Sequence, residues 1–95
     1  SHNSGLEGDV TAIIADDHAL VRAGKKEILG ATGRVEVVAE AENGLEAISL
    51  VRQHKPDLLT LDIAMPYAQG IEIFGEVRRW SPDTRIVVFT GLTPV

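Results

Sequence analysis

The chain has 95 residues, 44% hydrophobic and 24% charged, with a net charge of −5 and no cysteine. That describes one small globular domain near the lower size limit for a single hydrophobic core, and it excludes disulfides, thiolate metal sites and cysteine nucleophiles. The acidic balance argues against a nucleic-acid surface, which needs clustered Lys and Arg. No apolar run is long enough to span a membrane, so a cytoplasmic protein with no membrane partner is expected.

The first eight residues, "SHNSGLEG", are small and polar and read as a tag or disordered leader; residues 9–95 are the domain. From there apolar runs alternate with amphipathic stretches. "VTAIIA" (10–15) is the first apolar run. "HALVRAGKKEILGA" follows as a one-faced helix, with Leu20, Gly24 and Ile28 on one row and Val21 and Leu29 on the next. Lys25 interrupts that stripe, and its stem is expected to run along the core while its ammonium reaches water. "VEVVAEA" (35–41) carries Glu36 and Glu40 and suits a sheet edge. "GLEAISLVRQHK" is the second helix, with Ala47, Ile48 and Val51 inward, Asn43 and Glu46 as a capping pair and Pro56 as a stop. "DLLTLD" (57–62) is a third strand. "IEIFGEVRRW" is a third helix that uses Ile73, Phe74, Val77 and Trp80 and stops before Pro82, although Gly75 inside it has no evident purpose. "RIVVFT" (85–90) is a fourth strand, written for a sheet interior.

Strand, helix, strand at this spacing implies right-handed crossovers. The expected fold is α/β: a doubly wound, flavodoxin-like parallel sheet with helices on both faces, β1-α1-β2-α2-β3-α3-β4, in strand order 2-1-3-4. With the fourth strand's outer edge uncovered, a homodimer or higher oligomer is expected, through edge pairing or exchange of elements.

In such a sheet ligands bind beyond the carboxyl ends of the strands. Asp16 and Asp17 follow the first strand, Asp62 ends the third and Thr90 ends the fourth. Adjacent carboxylates in a crevice repel, and a bound cation relieves the repulsion. With oxygen ligands on offer and histidines dispersed at positions 2, 18 and 54, Mg²⁺ is favoured over zinc. A carboxylate nucleophile, a divalent cation and a hydroxyl form a site that could receive a phosphoryl group. Each residue also has a plainer explanation: Asp16 and Asp17 as helix N-cap and first-turn acid, Asp62 as a strand-end acid, Thr90 as a β-branched strand residue. His18 and His54 are read as surface residues without a chemical role. Trp80 and Phe74 are read as packing residues, and "KPD" and "RRW" as solvated helix-end charges.

"IIADDHALVRAG", "AENGLEA", "HKPDLLTLD", "TLDIAMP" with "QG" three residues on, and "SPDTRIVVFTG" together resemble the receiver domain of two-component response regulators, of the NarL/LuxR type, from about Val10 to about Leu92. The resemblance implies that Asp62 accepts phosphate from a sensor histidine kinase or a small phosphodonor. It implies that Asp17, Asp62 and the backbone carbonyl of Ala64 ligate Mg²⁺, that Asp16 acts through water, and that the Thr90 hydroxyl meets the phosphoryl group. Gly91 matches the small residue beside that threonine. The implied role is the regulatory part of a transcriptional regulator, reaching DNA only through a C-terminal helix-turn-helix domain that this sequence does not contain. It is no enzyme beyond self-catalysed phosphorylation and dephosphorylation.

There are departures from the pattern. A complete receiver adds a fifth strand, two helices and a strand-end lysine that pairs with the phosphoryl oxygens, and Gln69 stands where the family usually has an acid. The alternative is therefore a truncated or degenerate receiver acting only as an interaction or dimerisation module. An aspartate-nucleophile phosphatase ranks last, because its second acid would fall at Ala64.

Overall fold

A continuously apolar strand has no polar face to leave in water, so it is stable only between neighbouring strands and beneath helices. A computed structural model of the chain describes residues 10–65 and 70–89, and in it the apolar runs of the first and third strands take those positions, whereas the fourth lies at the edge of the described sheet. The elements are β1 (Val10–Ala15), α1 (Ala19–Ala31), β2 (Val35–Ala41), α2 (Gly44–His54), β3 (Leu58–Asp62), α3 (Gly70–Trp80) and β4 (Arg85–Phe89). All neighbouring strands pair in parallel, in the order β2-β1-β3-β4. This is the doubly wound order read from the sequence. The glutamate-bearing strand β2 lies at one edge, and the pair β1/β2 shifts register between Ala12 and Ile13. The proposed leader, residues 1–8, lies outside the described residues.

Side chains alternate across the sheet and so divide into two layers. Ile13 and Ala15 of β1 and Leu59 and Leu61 of β3 point to one face, where Ala47 and Val51 of α2 and Ile73 and Val77 of α3 bury against them. Asn43 accepts the Glu46 N–H at 2.8 Å, and Glu46 reaches back to the N–H of Glu42 at 2.7 Å, one residue before the usual capping-box partner. Helix α2 ends where Lys55 takes a left-handed conformation, φ 45°, with its N–H on the Val51 carbonyl.

Helix α1 departs from expectation. Its anticipated stripe is not buried: Leu20 is 87% exposed and Ile28 70%. The inward positions are taken by Arg22 and Lys25, whose charged ends are fixed on Glu40 and Asp16 at the sheet's carboxyl end. In this orientation of the helix the ion pairs face the sheet and Leu20 and Ile28 face outward. The fourth strand forms the other edge of the described sheet, with Val87 and Val88 exposed.

At the opposite end of the sheet, residues read as solvated charges are structural ties. Asp57 accepts from both the N–H and the hydroxyl of Thr11, at 2.9 and 3.2 Å, pinning the start of β1 to the entry of β3. The Lys55 ammonium donates to the Trp80 carbonyl at 3.0 Å. Arg52 and Arg79 stack on the Trp80 ring, 4.0 and 5.0 Å from its centroid.

A Cβ added at Gly75 would meet nothing within 4 Å, and nothing in the structure requires a glycine there. Gly75→Ala is therefore expected to raise stability by about 1 kcal/mol, because alanine loses less conformational freedom in a helix. Urea unfolding checks this, and a lowered midpoint would show that the position does need glycine.

Candidate functional site

The sheet order places the ends of β1 and β3 side by side, and their terminal acids meet there. Ligand atoms of Asp16, Asp17, His18 and Asp62 all lie within 4.8 Å of one another. Asp16 is 1% exposed and Asp62 5%, whereas Asp17 and His18 face solvent. The site is thus a pair of buried carboxylates with an open acidic mouth.

Asp16 is the most heavily supported member. Its Oδ1 accepts the His18 N–H at 2.9 Å and its Oδ2 meets the Lys25 ammonium at 2.9 Å. Burial alone would raise its pKa, but the His18 N–H and the Lys25 charge outweigh that and hold the carboxyl below its ordinary value. Asp16 is therefore ionised at neutral pH. It is not the N-cap of α1: His18 holds that position, with no side-chain cap bond. Arg22 donates to the Asp16 carbonyl at 2.7 Å and to Glu40 at 3.0 Å, and Lys26 lies 3.3 Å from Glu40. Against a burial effect that opposes ionisation, Arg22 and Lys26 hold Glu40 below the usual glutamate range.

Asp62 ends β3, opposite Phe89 of β4 in the register. Its Oδ1 accepts the Ala64 N–H at 2.9 Å, while Oδ2 has no hydrogen bond to a described residue. One oxygen is positioned by the turn and the other is left for chemistry. Ala64, two residues after the acid, is exposed. Thr90, the fourth site residue expected from the sequence, lies outside the described residues, as do Gln69 and Gly91.

Two participants were not legible as such. His18 was assigned no chemical role, yet its Nδ1 lies 3.0 Å from Asp17 Oδ1 and 3.4 Å from Asp16 Oδ1. Its adjacency to the paired acids was the available signal. Lys25 was expected to reach outward; instead its side chain is 17% exposed and its ammonium turns into the acidic cluster.

The family model for the response regulator receiver domain matches residues 12–94. The chain belongs to this family. Among curated relatives of this receiver, the transcriptional regulatory protein YhcZ of Bacillus subtilis is 41% identical over 79 residues, covering 83% of the chain and 37% of the relative. The chemotaxis protein CheY of the same organism is 41% identical over 80 residues, covering 84% of the chain and 66% of that protein. The signal receiver domain of the response regulator NarL from Mycobacterium tuberculosis superposes with a TM-score of 0.78 at 36% identity, over 85% of the chain and 65% of that domain. The receiver domain read from the motifs is the family shown, and NarL is among the proteins it resembles. The chain spans little more than a third of the length of a regulator such as YhcZ. Among the described residues no helix is long and apolar enough to cross a membrane.

Proposed function

We propose that this receiver accepts a phosphoryl group on Asp62 from a sensor histidine kinase, in the presence of Mg²⁺, as the regulatory part of a transcriptional regulator in the cytoplasm. The observation that carries the reading is the convergence of Asp16, Asp17 and Asp62 at the sheet's carboxyl end, with one Asp62 oxygen held by the Ala64 N–H and the other without a hydrogen bond to any described residue.

The donor set is three carboxylates and the His18 imidazole, converging within 4.8 Å, and its oxygen majority favours a hard cation such as Mg²⁺ over softer metals. Asp17, Asp62 and the Ala64 carbonyl would hold it, with Asp16 acting through water. When bound, the ion neutralises phosphoryl charge and lowers the repulsion between an anionic donor and an acidic site. The chain's own residues do the rest. The Ala64 N–H fixes the rotamer of Asp62, so that Oδ2 is the attacking oxygen. Its bond to phosphorus forms as the donor's P–N bond breaks, and the departing imidazole keeps that electron pair and takes up a proton. Thr90 follows Phe89, the register partner of Asp62, and its hydroxyl is assigned to a phosphoryl oxygen. The protein is a phosphoacceptor with at most self-catalysed gain and loss of the group, not a turnover enzyme.

The test is the intact mass before and after exposure to a small phosphodonor with and without Mg²⁺. Gain of one phosphoryl group only with Mg²⁺ supports the reading. No gain by folded protein would leave the interaction-module alternative in its place.

Self-association belongs to the same proposal. Val87 and Val88 on the edge strand and Leu20 and Ile28 on α1 are exposed apolar surface of the kind a second copy covers. Light scattering is expected to give a dimer or higher oligomer, and a monodisperse monomer at tens of micromolar would contradict it.

A further inference from the structure

Two adjacent lysines of α1 are used differently. Lys26 points outward to Glu40, 3.3 Å away and partly in solvent, as an ordinary surface pair. Lys25 points inward, where the helix pattern called for an apolar residue. Its ammonium lies 2.9 Å from Asp16 Oδ2 and 4.0 Å from the centroid of the Phe89 ring. Asp16 follows β1 and Phe89 ends β4, and β3 lies between those strands. A group touching both ends spans the end of β3, where Asp62 stands opposite Phe89. The aliphatic stem lines a cavity of about 220 Å³ with Ile28, Leu29, Thr60 and Phe89, and the Thr60 hydroxyl buried there has no hydrogen-bond partner among the described residues. The Lys25 side chain is only 17% exposed, so the ammonium acts on the carboxylates with less screening than a surface lysine.

We propose that Lys25 is a resident counter-cation of the acidic site: it occupies Asp16 and offsets one negative charge of the cluster, so it competes electrostatically with the divalent ion and sets how tightly that ion is held. The inference rests on the cation-site reading above. Lys25 acts through Asp16 and the field at the cluster, and is a positioning residue.

The direction follows from the charges. Three carboxylates facing one ammonium present a weaker attraction for a dication than three facing none. Removing the lysine charge therefore tightens cation binding, provided Asp16 stays in place, and its bond from the His18 N–H is independent of Lys25. Arginine keeps the charge at the same place.

The experiment is a titration of the whole chain with Mn²⁺ alone at fixed pH and ionic strength, free ion being read by electron paramagnetic resonance, with circular dichroism as a check on folding. Lys25→Met is expected to bind Mn²⁺ about tenfold more tightly than the parent, and Lys25→Arg within about twofold of it. Lys25→Gln retains an amide that can donate to Asp16 without charge, and it serves as the neutral variant if the methionine protein does not fold. Folded neutral variants that bind Mn²⁺ no more tightly than the parent would overturn the proposal while leaving the cation site standing. If neither parent nor neutral variants bind Mn²⁺, the cation-site reading fails and this inference fails with it. A purely structural lysine would change the unfolding midpoint and leave the affinity ratio near one.

Discussion

Asp62→Asn is expected to reduce phosphoryl uptake from a small phosphodonor to background, while the folded protein remains intact. The substitution is nearly isosteric. An asparagine amide oxygen can still accept the Ala64 N–H, now at 2.9 Å from Oδ1, so the turn after β3 keeps its tie. What disappears is the anionic oxygen that forms the bond to phosphorus, and an amide nitrogen has no lone pair available to replace it. Asp16 and Asp17 are poor substitutes as acceptors. Asp16 already has one oxygen on Lys25 and the other on the His18 N–H, and Asp17 stands at the solvent mouth beside His18. Intact-mass measurement checks the prediction, and uptake by the Asn variant at the parental level would move the acceptor away from residue 62.

Leu61→Ala is expected to lower the free energy of unfolding by about 3 kcal/mol, within the usual range for emptying a fully buried leucine site. Leu61 lies in the central strand pair, fully buried in the cluster that joins β1 and β3 to α2 and α3. It also precedes the proposed acceptor, so a cavity there removes support from the strand that positions Asp62. For a domain whose total stability is on the order of 5 to 15 kcal/mol, that loss is large. Leu45→Ala removes the same side-chain atoms from the exposed face of α2 and is expected to change stability by less than about 0.5 kcal/mol. Denaturant midpoints of the two variants compare them directly, and equal losses would contradict the assigned packing.

The contrast between those leucines shows what could be read from the chain and what could not. The strands were legible because "AIIA", "LLTL" and "IVVF" are continuously apolar and Glu36 and Glu40 mark β2 as an edge, although "IVVF", read as interior, forms the other edge of the described sheet with Val87 and Val88 exposed. Helices α2 and α3 followed from their apolar spacing, and Ala47, Val51, Ile73 and Val77 are buried, whereas Phe74, read with them, is 37% exposed. Helix α1 was misread because periodicity weighs hydrophobicity alone. Its inward face carries Arg22 and Lys25, whose partners Glu40 and Asp16 lie outside the helix, and no pattern within the helix reports that. Asp57 and Lys55 were missed for the same reason: their partners, Thr11 and Trp80, come from other elements. The acidic cluster was legible because strand order fixes which strand ends become neighbours, and that order followed from the βαβ alternation. Lys25 was half legible, as an anomaly in the stripe without its destination.

The most direct test of the central claim is chemical mapping of the modified residue. After treatment with a small phosphodonor and Mg²⁺, borohydride reduces an aspartyl phosphate to homoserine, which peptide mass spectrometry locates. The account predicts homoserine at position 62 and at no other aspartate. Homoserine at Asp16, Asp17 or elsewhere, or none in folded protein, would contradict it.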